Sequence, residues 1–230
     1  MTAVWTLLAG LLLAVGAWSW AARDIGGATR VALVAVLGAT AAAFNVVVPV
    51  PSIEATTTVV LCVAAVLGAR SGIAVGIVAV LGSSITGGVG AWTLWQVVAA
   101  SVVAAIGVCI GSRDLGFDWY VGAARIRLAV GAVLATVAWD VIVTVGGAAS
   151  YATQPGLTRA EQVVAALLLG LMFTVVHVVF TTAFTVLGGP PLLHALQRAS
   201  PRLDGGELQV TGVPAAGARS RSPRPTSPPA

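Results

Sequence analysis

The sequence predicts an all-α, polytopic membrane protein, and three observations carry that prediction. The first is composition: of 230 residues, 58% are hydrophobic and only 9% charged, and the mean hydropathy is +0.98. A soluble domain carries about 25% charged residues, so this chain lacks the polar surface needed to coat a globule in water. The second is a series of apolar stretches at 4–22, 30–50, 55–69, 72–88, 92–112, 128–147 and 163–187, to be read against the about 20 mainly apolar residues that a spanning helix needs. The third is the distribution of positive charge. All twelve basic residues are arginine. With the amino terminus outside and alternating passages, eleven of the twelve fall on the cytoplasmic side: Arg23, Arg30, Arg70, Arg113, Arg125, Arg127, Arg198, Arg202, Arg219, Arg221 and Arg224. Only Arg159 falls outside, as the positive-inside bias predicts for an odd number of passages.

Taken in order, passage one reads as a retained helix rather than a cleaved signal, because Met1 to Ala22 has no basic n-region and Arg23 follows the apolar run. Passage two carries Ala35, Ala39 and Ala43 at four-residue intervals beside Gly38 and Ala42, a strip that lets another helix approach closely. Passages three and four are short. Read as one helix they would be too long and would hold Arg70 at the centre, which costs about 3 kcal/mol on insertion scales, so the segment Gly68 to Gly72 is a turn. Six of the eleven prolines lie between Pro201 and Pro229 among Ser, Gly and Arg, a composition that cannot bury enough apolar area to order itself.

The absence of lysine excludes a P-loop and any Schiff-base chemistry. Cys62 and Cys109 lie inside apolar runs without metal-ligand or disulfide spacing and read as buried small residues. Nothing in the sequence implies a cofactor or a metal.

Polar residues inside spanning segments are costly and each needs a partner, a cavity or a ligand. Asn45, Glu54, Trp92, Trp95, Gln96 and Asp140 all fall in the outer half of the bundle and are expected to converge on one externally open pocket. His177 lies deeper. By the helical rise of about 1.5 Å per residue, Asp140 sits about 10 Å and His177 about 21 Å below the outer ends of their passages, which separates the two and disfavours a catalytic pair. Alternatives stand for several of these residues. Trp92 and Trp95 also suit an interfacial belt, the threonines suit bonding to their own helix backbone, and His177 suits an interhelical hydrogen bond. Asp140 suits either a ligand or a structural partner such as Gln96.

The stretch Gly82-Ser83-Ser84-Ile85-Thr86-Gly87-Gly88-Val89-Gly90-Ala91-Trp92-Thr93-Leu94-Trp95-Gln96 resembles a motif of the substrate-binding (S) components of energy-coupling factor (ECF) transporters, with Ala91 where that family has proline. Val66-Leu67-Gly68-Ala69-Arg70-Ser71-Gly72 is similar to the family's Gly-Pro-x-x-Gly hairpin, again without the proline. His177 and Gly188-Gly189-Pro190-Pro191-Leu192-Leu193, with Leu196 and Arg198, resemble its closing segment. The resemblance covers about 30–198.

It implies a six-helix S-component-like bundle plus one extra N-terminal transmembrane helix. The chain then divides into 1–29 (extra helix and linker), 30–198 (substrate-binding membrane domain) and 199–230 (disordered cytoplasmic tail). The implied function is capture of a vitamin or related micronutrient from outside the plasma membrane, without enzymatic activity. The implied partners are a coupling transmembrane subunit and two ATP-binding subunits, not nucleic acid. Ala35, Ala39 and Ala43 would face the coupling subunit. Asn45, Glu54, Trp92, Trp95, Gln96, Asp140 and His177 would line the pocket. The competing readings are an intramembrane enzyme using Asp140 and His177, and a membrane scaffold.

Overall fold

A computed structural model of the chain describes residues 27–50, 52–111, 117–150 and 156–203. Passage one and residues 204–230 of the expected tail lie outside the described residues. Within them the structure is helical, with α1 (Ala28–Val47), α2 (Thr56–Leu67), α3 (Ala69–Gly87), α4 (Ala91–Ile110), α5 (Gly122–Ser150) and α6 (Arg159–Leu203). These six correspond to passages two to seven.

Local chemistry accounts for the boundaries. α1 stops at Val48 (φ −111°), the residue before Pro49, where proline disfavours helical backbone. A single residue, Gly68, separates α2 from α3 at φ 87°, a conformation that glycine adopts without strain. The turn is therefore tighter than expected, and Arg70 and Gly72 already belong to α3. Before α4, Gly90 donates its N–H to Thr93 Oγ1 at 3.2 Å and accepts from Thr93 N–H at 3.0 Å. α6 opens on a capping box: Thr158 N–H donates to Glu161 Oε2 at 2.7 Å, and Glu161 N–H donates to Thr158 Oγ1 at 3.3 Å.

The short helix is the centre of the bundle. Of twelve residues in α2, eleven are buried, and α1, α3, α4, α5 and α6 all pack against it. A helix apolar on every side belongs in a core, and at about 18 Å long α2 is shorter than a bilayer core of about 30 Å. Glycines let its neighbours close in: a Cβ at Gly72 would lie 2.7 Å from Ala64 Cβ, and one at Gly76 would lie 2.6 Å from Ala100 Cβ. The Gly68, Gly72 and Gly76 repeat therefore serves internal packing. The strip of Ala35, Ala39 and Ala43 behaves differently. All three are exposed, while Val34, Gly38, Ala41 and Ala42 turn inward, Gly38 against Val78 of α3.

Five of the helices are long and apolar enough to cross a membrane. Their outer surface carries Leu169 at 80%, Met172 at 71% and Leu187 at 72% exposure, an apolar exterior that suits lipid rather than water. The chain is thus a multi-pass membrane protein. α6 runs longer than the sequence suggests. It continues through Pro190, Pro191 and Pro201 to Leu203, so residues 199–203, expected in the tail, are helical. Its inward stripe begins at His177 and continues through Thr181, Thr185 and Gly189 to Leu193.

Contacts between helix ends define two ends of the bundle. At one, Arg30 donates to the Leu67 carbonyl and Arg127 to the Ile110 carbonyl. Arg127 also stands over the Phe117 ring at 5.1 Å, and Tyr120 stacks on His194 at 5.3 Å, a turn before Arg198. At the other, Asn45 meets Thr56, Trp95 meets Ser150, and Arg159 donates to the Ala149 carbonyl at 3.1 Å. Among the described residues, Arg159 is the one arginine at this second end, the same segregation that the charge pattern predicts.

Candidate functional site

The second end holds a pocket of about 430 Å3 lined by Asn45, Val48, Pro49, Val50, Ser52, Ile53, Glu54, Thr56, Val80, Ser83, Gln96, Trp139, Asp140 and His177. Its floor is built from the start of α2. Ala55, the residue before the helix, has no side chain with which to cap it, and Asn45 of α1 supplies the interaction instead. Asn45 Oδ1 accepts from Ala55 N–H at 3.0 Å, and its Nδ2 donates to Thr56 Oγ1 at 2.8 Å. Thr57 Oγ1 then donates to Glu54 Oε1 at 2.7 Å, which fixes the carboxylate beside the positive end of α2. Ser52, in the segment that closes the pocket, holds φ at 66°, a left-handed conformation unusual for a side-chain-bearing residue and found preferentially at functional sites.

His177 links the walls. Its Nδ1 hydrogen bonds Asp140 Oδ1 at 2.7 Å, and its Nε2 stands 3.4 Å from Glu54 Oε1 on the other side. The imidazole is almost fully buried (4% exposed), with the two carboxylates at 17% and 18%. Asp140 Oδ2 and His177 Nε2 are buried without a hydrogen-bond partner among the described residues. His177 Nε2 still faces the Glu54 carboxylate at 3.4 Å, which leaves Asp140 Oδ2; buried polar atoms are nearly always paired, so it marks a place where a ligand or water completes the set. One helical turn further along α6, Thr181 Oγ1 is likewise unpartnered, and beyond it Thr185 Oγ1 and Thr58 Oγ1 lie 2.7 Å apart, tying α6 to α2.

This geometry overturns the depth argument. Asp140 and His177 were expected at different levels, yet they touch. Rise along a helix measures depth only when helices are parallel and begin level. From the Arg159–Ala149 contact, His177 is eighteen residues along α6 and Asp140 nine residues back along α5. The two counts differ by about 13 Å of rise, so residue counts along neighbouring helices do not report relative depth. The partner of Asp140 is accordingly His177 rather than Gln96. The threonines also depart from expectation: Thr56, Thr57 and Thr58 bond other side chains, whereas Thr40 and Thr136 do bond their own helix backbone.

Of the residues expected to converge, Asn45, Glu54, Gln96, Asp140 and His177 line the pocket. Trp92 and Trp95 do not. Trp95 lies against α5, its Nε1–H donating to Ser150 Oγ at 2.9 Å and its ring over Gly146, where a Cβ would fall 2.0 Å from Cδ2. The Trp92 ring folds back on Gly90, 2.6 Å from where a Cβ would lie. The aromatic wall is Trp139, 5% exposed and next to Asp140 in the chain. That adjacency to an intramembrane carboxylate is the one sequence signal that pointed to it. Among the described residues no group of three or more His, Cys, Asp or Glu is arranged to hold a metal ion.

The fold and site together define a multi-pass helical membrane protein with a polar, partly buried pocket at one end. Compared with protein-family models, curated proteins and solved structures, the chain matches none.

Proposed function

We propose that the protein is the membrane-embedded substrate-binding subunit of an ECF-type importer. In this reading it captures a vitamin-like micronutrient from outside the plasma membrane and presents it to a coupling transmembrane subunit driven by two ATP-binding subunits. The observation that carries the reading is the pocket at the arginine-poor end. Its volume of about 430 Å3 falls in the range of small-molecule sites, about 300–1,000 Å3, and its polar groups converge from six helices and one loop. With arginines cytoplasmic, the pocket opens outward, the amino terminus is outside and the carboxy terminus inside. The exposed strip of Ala35, Ala39 and Ala43 then offers the coupling subunit a close helix contact. The resemblance around Gly82 to Gln96 supports the same reading.

The test is copurification from native membranes followed by mass spectrometry of bound small molecules, and titration of purified protein by tryptophan fluorescence. We expect a retained solute, association with a membrane subunit and two ATPases, and a response that Trp139→Phe weakens and Trp95→Phe leaves in place. Empty protein that binds no member of a broad micronutrient panel at micromolar concentration would overturn the proposal.

One observation favours a second reading. A histidine hydrogen bonded to a carboxylate at 2.7 Å has the geometry of a general base with its orienting group, as an intramembrane enzyme requires. Covalent turnover of the retained solute, abolished by His177→Gln, would favour it; unchanged solute released intact favours binding.

A further inference from the structure

The pocket's charge inventory is lopsided. Two carboxylates, Glu54 and Asp140, face a single titratable base, His177. Among the described residues no arginine lines the cavity. Arg159, at the same end, directs its Nη1 to the Ala149 carbonyl. With both carboxylates ionised, the pocket keeps a net negative charge even when His177 is protonated, and carries two when the imidazole is neutral. Low-dielectric walls amplify such an imbalance.

Two further features bear on what would neutralise it. Asp140 directs one oxygen to His177 and keeps the other, Oδ2, buried and without a hydrogen-bond donor. Among the described residues that acceptor is left for a donor from a ligand or water. Trp139 beside it lines the pocket with the small exposed part of its indole, the aromatic side chain that best attracts a cation. A chelated metal fits poorly, because the His and carboxylate groups do not form a metal-holding cluster and His177 Nδ1 is already engaged.

Resting on the solute-binding reading above, we infer that this pocket selects a small organic cation, an amine, amidine or positively charged nitrogen heterocycle, and rejects carboxylates and phosphates. Asp140 and Glu54 are its counter-charges, Trp139 the aromatic wall beside them, and Asn45 the residue that positions the Glu54 segment. An anionic solute would meet two like charges at close range, which disfavours it.

The experiment uses the full chain in lipid nanodiscs, with empty nanodiscs as the blank. A library of water-soluble heterocycles, amines and carboxylic acids is sorted by charge at neutral pH and screened for thermal stabilisation. 1-Naphthylmethylammonium, 1-naphthalenemethanol and 1-naphthoate, similar in size with charges of plus one, zero and minus one, are included as defined probes. The expected result is that stabilising compounds are cations and that each binds at least tenfold tighter than its neutral or anionic isostere. Glu54→Gln and Asp140→Asn should each reduce that preference at least fivefold, while Glu54→Asp retains it. The wild-type ratio alone tests the charge selection should a variant fail to fold. Stabilisation by carboxylates or neutral compounds as strong as by cations would overturn the charge selection and leave solute binding standing. Binding by no compound in the library at millimolar concentration would overturn both.

Discussion

The two ends of the bundle handle charge in opposite ways. At the arginine end, Arg30 and Arg127 direct their guanidinium groups onto helix carbonyls, and Arg127 also lies over aromatic rings. Charge there closes helix termini. At the pocket end, Glu54, His177 and Asp140 face one another across a cavity, and among the described residues Asp140 Oδ2 lacks a hydrogen-bond partner. Charge there is gathered around a cavity. Both arrangements sit on the same short central helix, α2, whose C-terminus Arg30 caps and whose N-terminus Asn45 caps. On the proposed solute-binding reading, stability and recognition are divided between ends, so changes at one end should leave the other's property in place.

The largest expected effect is at the closed end. A Cβ on Gly111 would lie 2.2 Å from the Ala65 carbonyl oxygen, a backbone atom with little room to give. Gly111→Ala should destabilise the protein by about 3 kcal/mol, read as a lower melting temperature in detergent, with solute affinity of the folded fraction unchanged. Lost affinity in that folded fraction would break the division.

At the open end Asp140→Asn should do the reverse. Solute affinity should fall about tenfold, or about 1.4 kcal/mol, with a smaller shift in melting temperature than Gly111→Ala causes. Arg127→Ala should cost about 1 kcal/mol of stability through lost carbonyl bonds and leave binding intact. The smallest effect tests the link between the ends. Thr58→Val and Thr185→Val, singly and together, should give a coupling energy of about 0.6 kcal/mol, typical of an interhelical hydrogen bond in a membrane protein. A coupling near zero would mean that packing alone holds α2 to α6.

Much of the fold was legible because it depends on local pattern. Apolar runs marked the six described helices, and the cost of a central Arg70 located the hairpin at Gly68. Five pocket residues were legible for the related reason that polar groups in apolar runs stand out. The errors share a cause as well. Trp92 and Trp95 lie in the right part of the chain, yet the rotation of α4 turns Trp95 onto α5 instead of into the pocket. α6 passes through two consecutive prolines although proline removes a donor and crowds one turn, a cost that packing of Gly189, Pro190 and Leu193 into the core offsets.

The sequence by itself determined that this chain lives in a membrane, roughly where it crosses, and that its described arginines other than Arg159 gather at one end. Those properties follow from transfer energies summed along the chain, which need no knowledge of neighbours. Only the tertiary structure decided that Asp140 and His177 touch, that Trp139 rather than Trp92 or Trp95 faces the pocket, and that the shortest helix is the core. Those depend on how helices incline, rotate and slide past one another, and one dimension of residue spacing does not contain these variables.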